Sequence, residues 1–232
     1  MKIALSSGHG KYIRGARGSP VPPQLDEVDE ARRVVARVAE MLKKTNVGIV
    51  TFNDDTSHSQ NENLNTIVAW HNKQTRDYDV SCHFNAFDHT AHGTEVLYVS
   101  QQSLAKKVCD AIVGAGGFTN RGAKYNGNLA FLNGTNKPAI LLEVCFCDNT
   151  ADSNKYNDKF DAICEAIAES IGGENVPDDV QPTPPEPEPP PAELVVSVAI
   201  TAPPGVIVNV MQSVSGAAPQ DVSALQKIPS ES

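Results

Sequence analysis

Four residues of this 232-residue chain have the types and surroundings that metal binding and proton transfer require. His9 stands in SSGHG just after one short apolar run, and His83 stands in SCHFNA at the end of another. A neutral imidazole in either place can offer a ring nitrogen to a metal ion. Glu27 opens a helical pattern, and Glu143 lies inside the apolar run AILLEVCF. An unpaired carboxylate there is costly in its charged form, so its pKa rises toward the range useful for proton transfer near neutral pH.

Each residue also has an ordinary explanation. His9 can be a satisfied loop residue, and Glu27 can complement a helix dipole. His83, beside Phe84 and Phe87, needs a polar partner, of which a metal is one candidate. Glu143 can belong to a structural ion pair with Lys124 or Arg121. Glu30, one helical turn after Glu27, is the nearby rival for a carboxylate ligand. Placement is what joins the four: all fall where an α/β sheet gathers its reactive groups, at the C-terminal ends of strands or the start of a following helix. Gly8 and Gly10 flank His9 and would let the backbone turn sharply there.

The elements that must position them are legible as periodicity. Residues 2–5, 47–52, 78–84, 94–99 and 139–146 are short runs rich in Val, Ile and Leu, as expected of buried strands. Between them, residues 27–44 place Val34, Val35, Val38, Met41 and Leu42 at spacings of three and four, an amphipathic helix. Residues 60–75, 102–114 and 159–171 carry the same helical spacing. The alternation predicts an α/β fold with a largely parallel twisted sheet flanked by helices.

After Gly172 and Gly173 the composition changes. Residues 174–193 are rich in proline and acid, which predicts an extended linker, and residues 194–232 contain two apolar runs around Pro203-Pro204-Gly205, which read as a small hairpin. The domain boundaries expected are therefore 1–173, 174–193 and 194–232. The last piece is too short to bury much core alone and is expected to serve wall binding or oligomerisation. It and the linker hold one Lys and eight acids, so seven of the nine net negative charges lie outside the first domain. A nearly neutral main domain without a basic run argues against nucleic acid as partner. No run approaches the ~18 apolar residues of a membrane span, and MKIALSSGHG lacks the apolar stretch of a secretion signal. The five cysteines, Cys82, Cys109, Cys145, Cys147 and Cys164, fall in expected strands and helices, which favours buried free thiols.

Together these segments resemble the zinc-dependent N-acetylmuramoyl-L-alanine amidases of the Amidase_3 type, found among bacterial cell-wall amidases and phage endolysins. The resemblance covers nearly all of residues 1–173. It rests on GHG (8–10), the helix from Glu27 to VAEML (38–42), SCHFNA (81–86), GTEVLYV (93–99), NRGAK (120–124) and TNKPAILLEVCFCDN (135–149). The last is the most specific. The resemblance implies one Zn2+ held by His9, Glu27 and His83, with Glu143 as the catalytic base. It favours Glu27 over Glu30 because the distance to Leu42 matches. One departure stands out: the family commonly has Asp three residues before the first His, and this chain has Ser6.

The activity so implied is hydrolysis of the amide between N-acetylmuramic acid and L-alanine in peptidoglycan. Asn85, two residues after His83 and so on the same strand face, is a further candidate for substrate contact, with a turn role as its ordinary alternative, and Arg121 is another. The implied setting is endolysin-like: synthesis in the cytoplasm and action on the wall after release. Residues 100–119 suffice for one ordinary helix, so no long insert is expected to cover the site. Rival readings are a zinc carboxypeptidase or endopeptidase on wall peptides and a non-catalytic wall-binding module. Product analysis and a zinc assay separate them.

Overall fold

The computed structural model describes residues 1–18 and 25–173. The linker and hairpin expected over 174–232 lie outside the described residues.

The chain builds β1 (Lys2–Ser7), α1 (Glu27–Leu42), β2 (Gly48–Phe52), α2 (Gln60–Asn72), β3 (Tyr78–Asn85), β4 (Thr94–Tyr98), α3 (Gln102–Gly116), β5 (Asn120–Tyr125), α4 (Ala130–Gly134), β6 (Ala139–Phe146), α5 (Thr150–Asp158) and α6 (Phe160–Gly172). The six strands form one sheet in the order β2-β1-β3-β6-β4-β5. Four neighbouring strands, β2, β1, β3 and β6, run parallel; β4 pairs with β6 antiparallel, and β5 follows β4. The α/β expectation therefore holds, with a reversed pair added at one edge.

Alternation along the strands sorts the two faces. Ile3, Leu5, Val80, Phe84, Val96, Ile140 and Leu142 join the larger core, with Val34, Val38, Val108, Ile112, Ile163 and Ile167 from α1, α3 and α6. The opposite face carries a smaller apolar cluster, Ile67, Leu97, Phe131, Leu132, Ala139 and Leu141, under α2 and α4. That thinner cover leaves room for polar side chains. Asp79, Ser81 and His83 on β3 and Glu143 on β6 take the alternate positions.

Local chemistry fixes the starts of α1, on the larger core, and of α2, on the opposite face. Asp26 caps α1 by accepting from the Val28 amide at 3.0 Å, and three acids occupy the first turn. Ser59 caps α2 through the Glu62 amide, and Glu62 reaches back to the His58 amide at 2.8 Å. Three elements escaped the periodicity reading: β5, α4 and α5 are too short or too polar to carry a hydrophobic pattern. β5 is an edge strand, NRGAKY, with Arg and Lys among its residues, as edges resistant to further pairing commonly are. All five cysteines are free and buried, as expected.

Candidate metal centre and active site

The end of β1, the start of α1 and the end of β3 converge on one point. Gly8 extends the β1–β3 pairing, its amide donating to the Cys82 carbonyl at 2.9 Å, and His9 follows as the chain leaves the sheet. Glu27 supplies the central carboxylate: Oε1 lies 3.0 Å from His83 Nδ1 and 3.4 Å from His9 Nε2. The same oxygen accepts from the Phe84 amide at 3.2 Å, and Oε2 accepts from the Ala16 amide at 2.6 Å. The carboxylate is thus aimed by two backbone donors, one from the loop before α1 and one from β3.

Glycine matters here for space rather than for a turn. A Cβ on Gly8 would overlap the His83 ring, and one on Gly10 would lie 2.8 Å from Asn63 Nδ2. The chain does bend at Gly8 and His9, but neither glycine has a left-handed φ, so what these glycines supply is room for close approach. Gly15, which the sequence reading passed over, needs both: its φ is 66°, and a Cβ there would collide with Glu27 Oε2 and approach His9 Cδ2 to 2.6 Å.

Ligand atoms from His9, Glu27 and His83 all lie within 4.8 Å of one another, the separation expected of donors around one cation. His9 Nδ1 is buried without a hydrogen-bond partner. Burial holds the His9 imidazole below its ordinary pKa, against the pull of Glu27, which keeps it neutral and able to ligate. Burial opposes ionisation of Glu27, but the hydrogen bond from His83 and its charge, with the Ala16 amide in support, hold it below the usual carboxylate range. Two imidazoles and one ionised carboxylate fit a divalent cation with an open position. Glu30, the rival carboxylate, instead accepts from the Tyr156 hydroxyl at 2.9 Å and from Arg33.

Glu143 stands opposite His83 in the β3–β6 register. Neither expected ion-pair partner reaches it. Lys124 and Arg121 both bind Glu95, at 2.6 and 2.7 Å, and Glu143 Oε2 is buried with no partner. Burial pushes its carboxyl up to about 8, opposed by His83 and helped by the charges of Glu27 and Glu95. A bound cation would draw it down again, toward the ionised form that a base needs.

His9, His83 and Glu143 line one side of a cavity of 370 Å³; Leu64 and Val68 of α2 and Leu129 line the other. The α3 helix formed by residues 102–116 packs against α6, β4 and β5, on the face away from α2 and α4. The imidazoles keep 17% and 14% exposure, so this cleft is open to a ligand.

With that geometry in view, the comparison with known proteins is decisive: the N-acetylmuramoyl-L-alanine amidase family, Amidase_3, matches residues 3–172. The chain belongs to this family. An uncharacterized protein of Clostridium perfringens is 30% identical over 192 residues, covering 78% of this chain and 55% of its own length. The chain spans about half the length of the curated relatives it matches. The catalytic domain of an endolysin targeting Clostridia difficile superposes with a TM-score of 0.65 at 27% identity, covering 75% of this chain and 98% of that one. An N-acetylmuramoyl-L-alanine amidase from Clostridium difficile 630 gives a TM-score of 0.64 at 27% identity, covering 73% of this chain and 94% of that one.

In this amidase-family domain, Asn85 and Arg121 come together with each other rather than with the cleft. Both bond Glu95, Asn85 Nδ2 at 3.4 Å and Arg121 Nε at 2.7 Å, and both line a separate hollow at the strand ends. Glu95, unremarked within GTEVLYV, is the residue sequence reasoning missed; its place opposite Glu143 on β4 could have been inferred only from the pairing.

His71 is a correction. Solvated or helix-face roles are the expectation for histidines outside the motifs, and His58, His89 and His92 are indeed exposed. His71 is fully buried, with Nδ1 2.6 Å from Asp79 and Nε2 2.9 Å from Ser6 Oγ. Ser6, which stands where the family commonly has Asp, therefore serves His71 and not His9. Among the described residues no helix is long and apolar enough to cross a membrane.

Proposed function

We propose that residues 1–173 form a catalytic domain that hydrolyses the amide between N-acetylmuramic acid and L-alanine in peptidoglycan, using one zinc ion held by His9, Glu27 and His83. The observation that carries the reading is the unpartnered Glu143 carboxylate, set across one strand spacing from His83 and facing the same cavity. A zinc ion at such a site supplies Lewis acidity toward the amide carbonyl and toward water.

The chain's own groups account for the rest. Glu27, fixed by the Ala16 and Phe84 amides, would hold its carboxylate ready for the metal between the two imidazoles. Glu143 takes a proton from attacking water and returns it to the departing alanine nitrogen, as a base of suitable basicity in a water-poor cleft can. The apolar wall of Leu64, Val68 and Leu129 limits water around the reacting amide. An enzyme open at this cleft and acting on a wall polymer fits an endolysin-like setting.

The test is Glu143→Gln, which keeps shape and removes the base. Zinc content should stay at one equivalent while kcat falls by about 10²- to 10⁴-fold. Release of new alanine amino groups from purified peptidoglycan measures it. A variant with near wild-type turnover would remove Glu143 from the mechanism.

A further inference from the structure

Beside the cleft, the polar row continues across the sheet. His83 on β3 faces Glu143 on β6, Glu143 faces Glu95 on β4, and Glu95 pairs with Gly122 of β5, next to Arg121. At the end of that row lies a hollow of 270 Å³ lined by Asn85, Ala86, Phe87, Ala91, Arg121 and Phe146.

Arg121 is held there in an unusual way. Its Nε donates to Glu95 Oε2 at 2.7 Å, and its guanidinium carbon Cζ lies over the Phe146 ring, 4.9 Å from the ring centre. Among the described residues its two terminal nitrogens have no hydrogen-bond acceptor. Glu95 is bound by Lys124 as well, so one carboxylate faces two cations and the group is left with a net positive charge. A guanidinium anchored at Nε and set over a ring keeps its two terminal nitrogens as a fork, the geometry that takes a carboxylate with two parallel bonds.

We propose that this hollow is a carboxylate-binding subsite, with Arg121 as the reader, and that its ligand is the free α-carboxylate of the second stem-peptide residue, a glutamate linked onward through its γ-carboxyl. This rests on the amidase reading for the identity of the ligand. The spacing agrees. Two strand intervals separate Arg121 from Glu143, about 10 Å. The two residues from the scissile carbonyl to that carboxylate span about 7 Å when extended, and the guanidinium, tied to Glu95, reaches back across β4 to close the difference. Phe87, 80% exposed at the rim, offers an apolar surface to the methylenes of the γ-linked chain.

The hollow would therefore distinguish walls whose second residue is the free acid from walls in which that group is amidated. The decisive measurement is the affinity of the zinc-loaded full chain for L-alanyl-D-glutamate against L-alanyl-D-isoglutamine, read by calorimetry. The acid should bind about 10- to 100-fold more tightly, the range of a charge-assisted pair. R121Q should bring the ratio close to one, R121K should leave an intermediate ratio, and K124Q should lower it less than R121Q. Equal affinity of the wild type for the two dipeptides, or no binding of either, overturns the proposal. So does a ratio that survives R121Q or falls as far in K124Q. Cleavage of muramoyl-peptides is followed separately: a protein that discriminates the dipeptides but releases none from the muramoyl group defeats the amidase reading and leaves the subsite standing.

Discussion

Two histidine-carboxylate groups sit on the same face of this sheet and differ in how they are completed. At the strand ends, His9, Glu27 and His83 converge with a buried ring nitrogen left unpartnered and with Glu143 beside them, also unpartnered. Deeper in, Ser6, His71, Asp79 and Arg76 close on one another: Arg76 donates twice to Asp79 at 2.7 Å, Asp79 orients His71, and His71 meets Ser6. The order of hydroxyl, imidazole and carboxylate in the second group is that of a serine-hydrolase triad. Ser6 and His71 have no solvent exposure, so no substrate carbonyl reaches them. Chemistry is available where buried polar atoms lack partners and a cavity reaches them; where every partner is present, the same residue types lock a helix to a sheet.

The largest effect that would break or sharpen this contrast comes from removing the carboxylate of each group in turn. Asp79→Ala leaves Arg76 and His71 buried without their acceptor, and the loss of stability should be about 3–5 kcal/mol. Thermal or urea unfolding measures it, and the folded fraction should still bind one zinc. Glu27→Ala should do the reverse, abolishing zinc binding and hydrolysis while the zinc-free protein melts within a few degrees of zinc-free wild type. If Asp79→Ala removed zinc as completely as Glu27→Ala, the two groups would be one functional unit.

A smaller effect tests clearance at the metal end. Gly8→Ala places a methyl into the His83 ring. The ring must move, and a ligand displaced by a fraction of an ångström loses metal affinity, by about 10- to 100-fold on the scale seen for disturbed supporting residues. A chelator competition series reads this directly. Wild-type affinity in Gly8→Ala would mean that the His83 ring has another place to go.

How much of this was legible in the sequence follows from the same physics. Five of the six strands and four long helices show because each carries an apolar run or stripe with a clear period, and Glu143 shows because a charge interrupts such a run. The edge strand NRGAKY does not, since its stability comes from pairing with β4 rather than from its own hydrophobicity. His71 looked like any helix-face histidine: its partners are 8 and 65 residues away and become neighbours only through the β1–β3 register. The split between Glu143 and Glu95 was equally hidden. Both are acids within apolar strands, they face each other across β4 and β6, and only the position of β5 decides which of them receives Lys124 and Arg121.

The smallest predicted effect concerns the loop that carries His9. Asp54 is buried and accepts from the Thr56 and Ser57 amides and from Asn63 Nδ2 at 2.7 Å, while its carbonyl takes the Lys11 amide at 2.8 Å. Despite burial, these bonds hold its carboxyl down at about 2, against an ordinary 3.8. A folded-state pKa below the unfolded value means stability that is fully present above the unfolded pKa and is lost as pH falls toward the folded one. That window runs from near pH 4 down to near pH 2, and its size is about 2 kcal/mol. Asp54→Asn should therefore be less stable than wild type by about that amount at pH 6, and the gap should narrow as the pH is lowered through 4 toward 2. Urea unfolding of the two proteins across this range measures the gap. A constant difference would show that the charge of Asp54 contributes nothing and that its shape alone braces the loop behind His9.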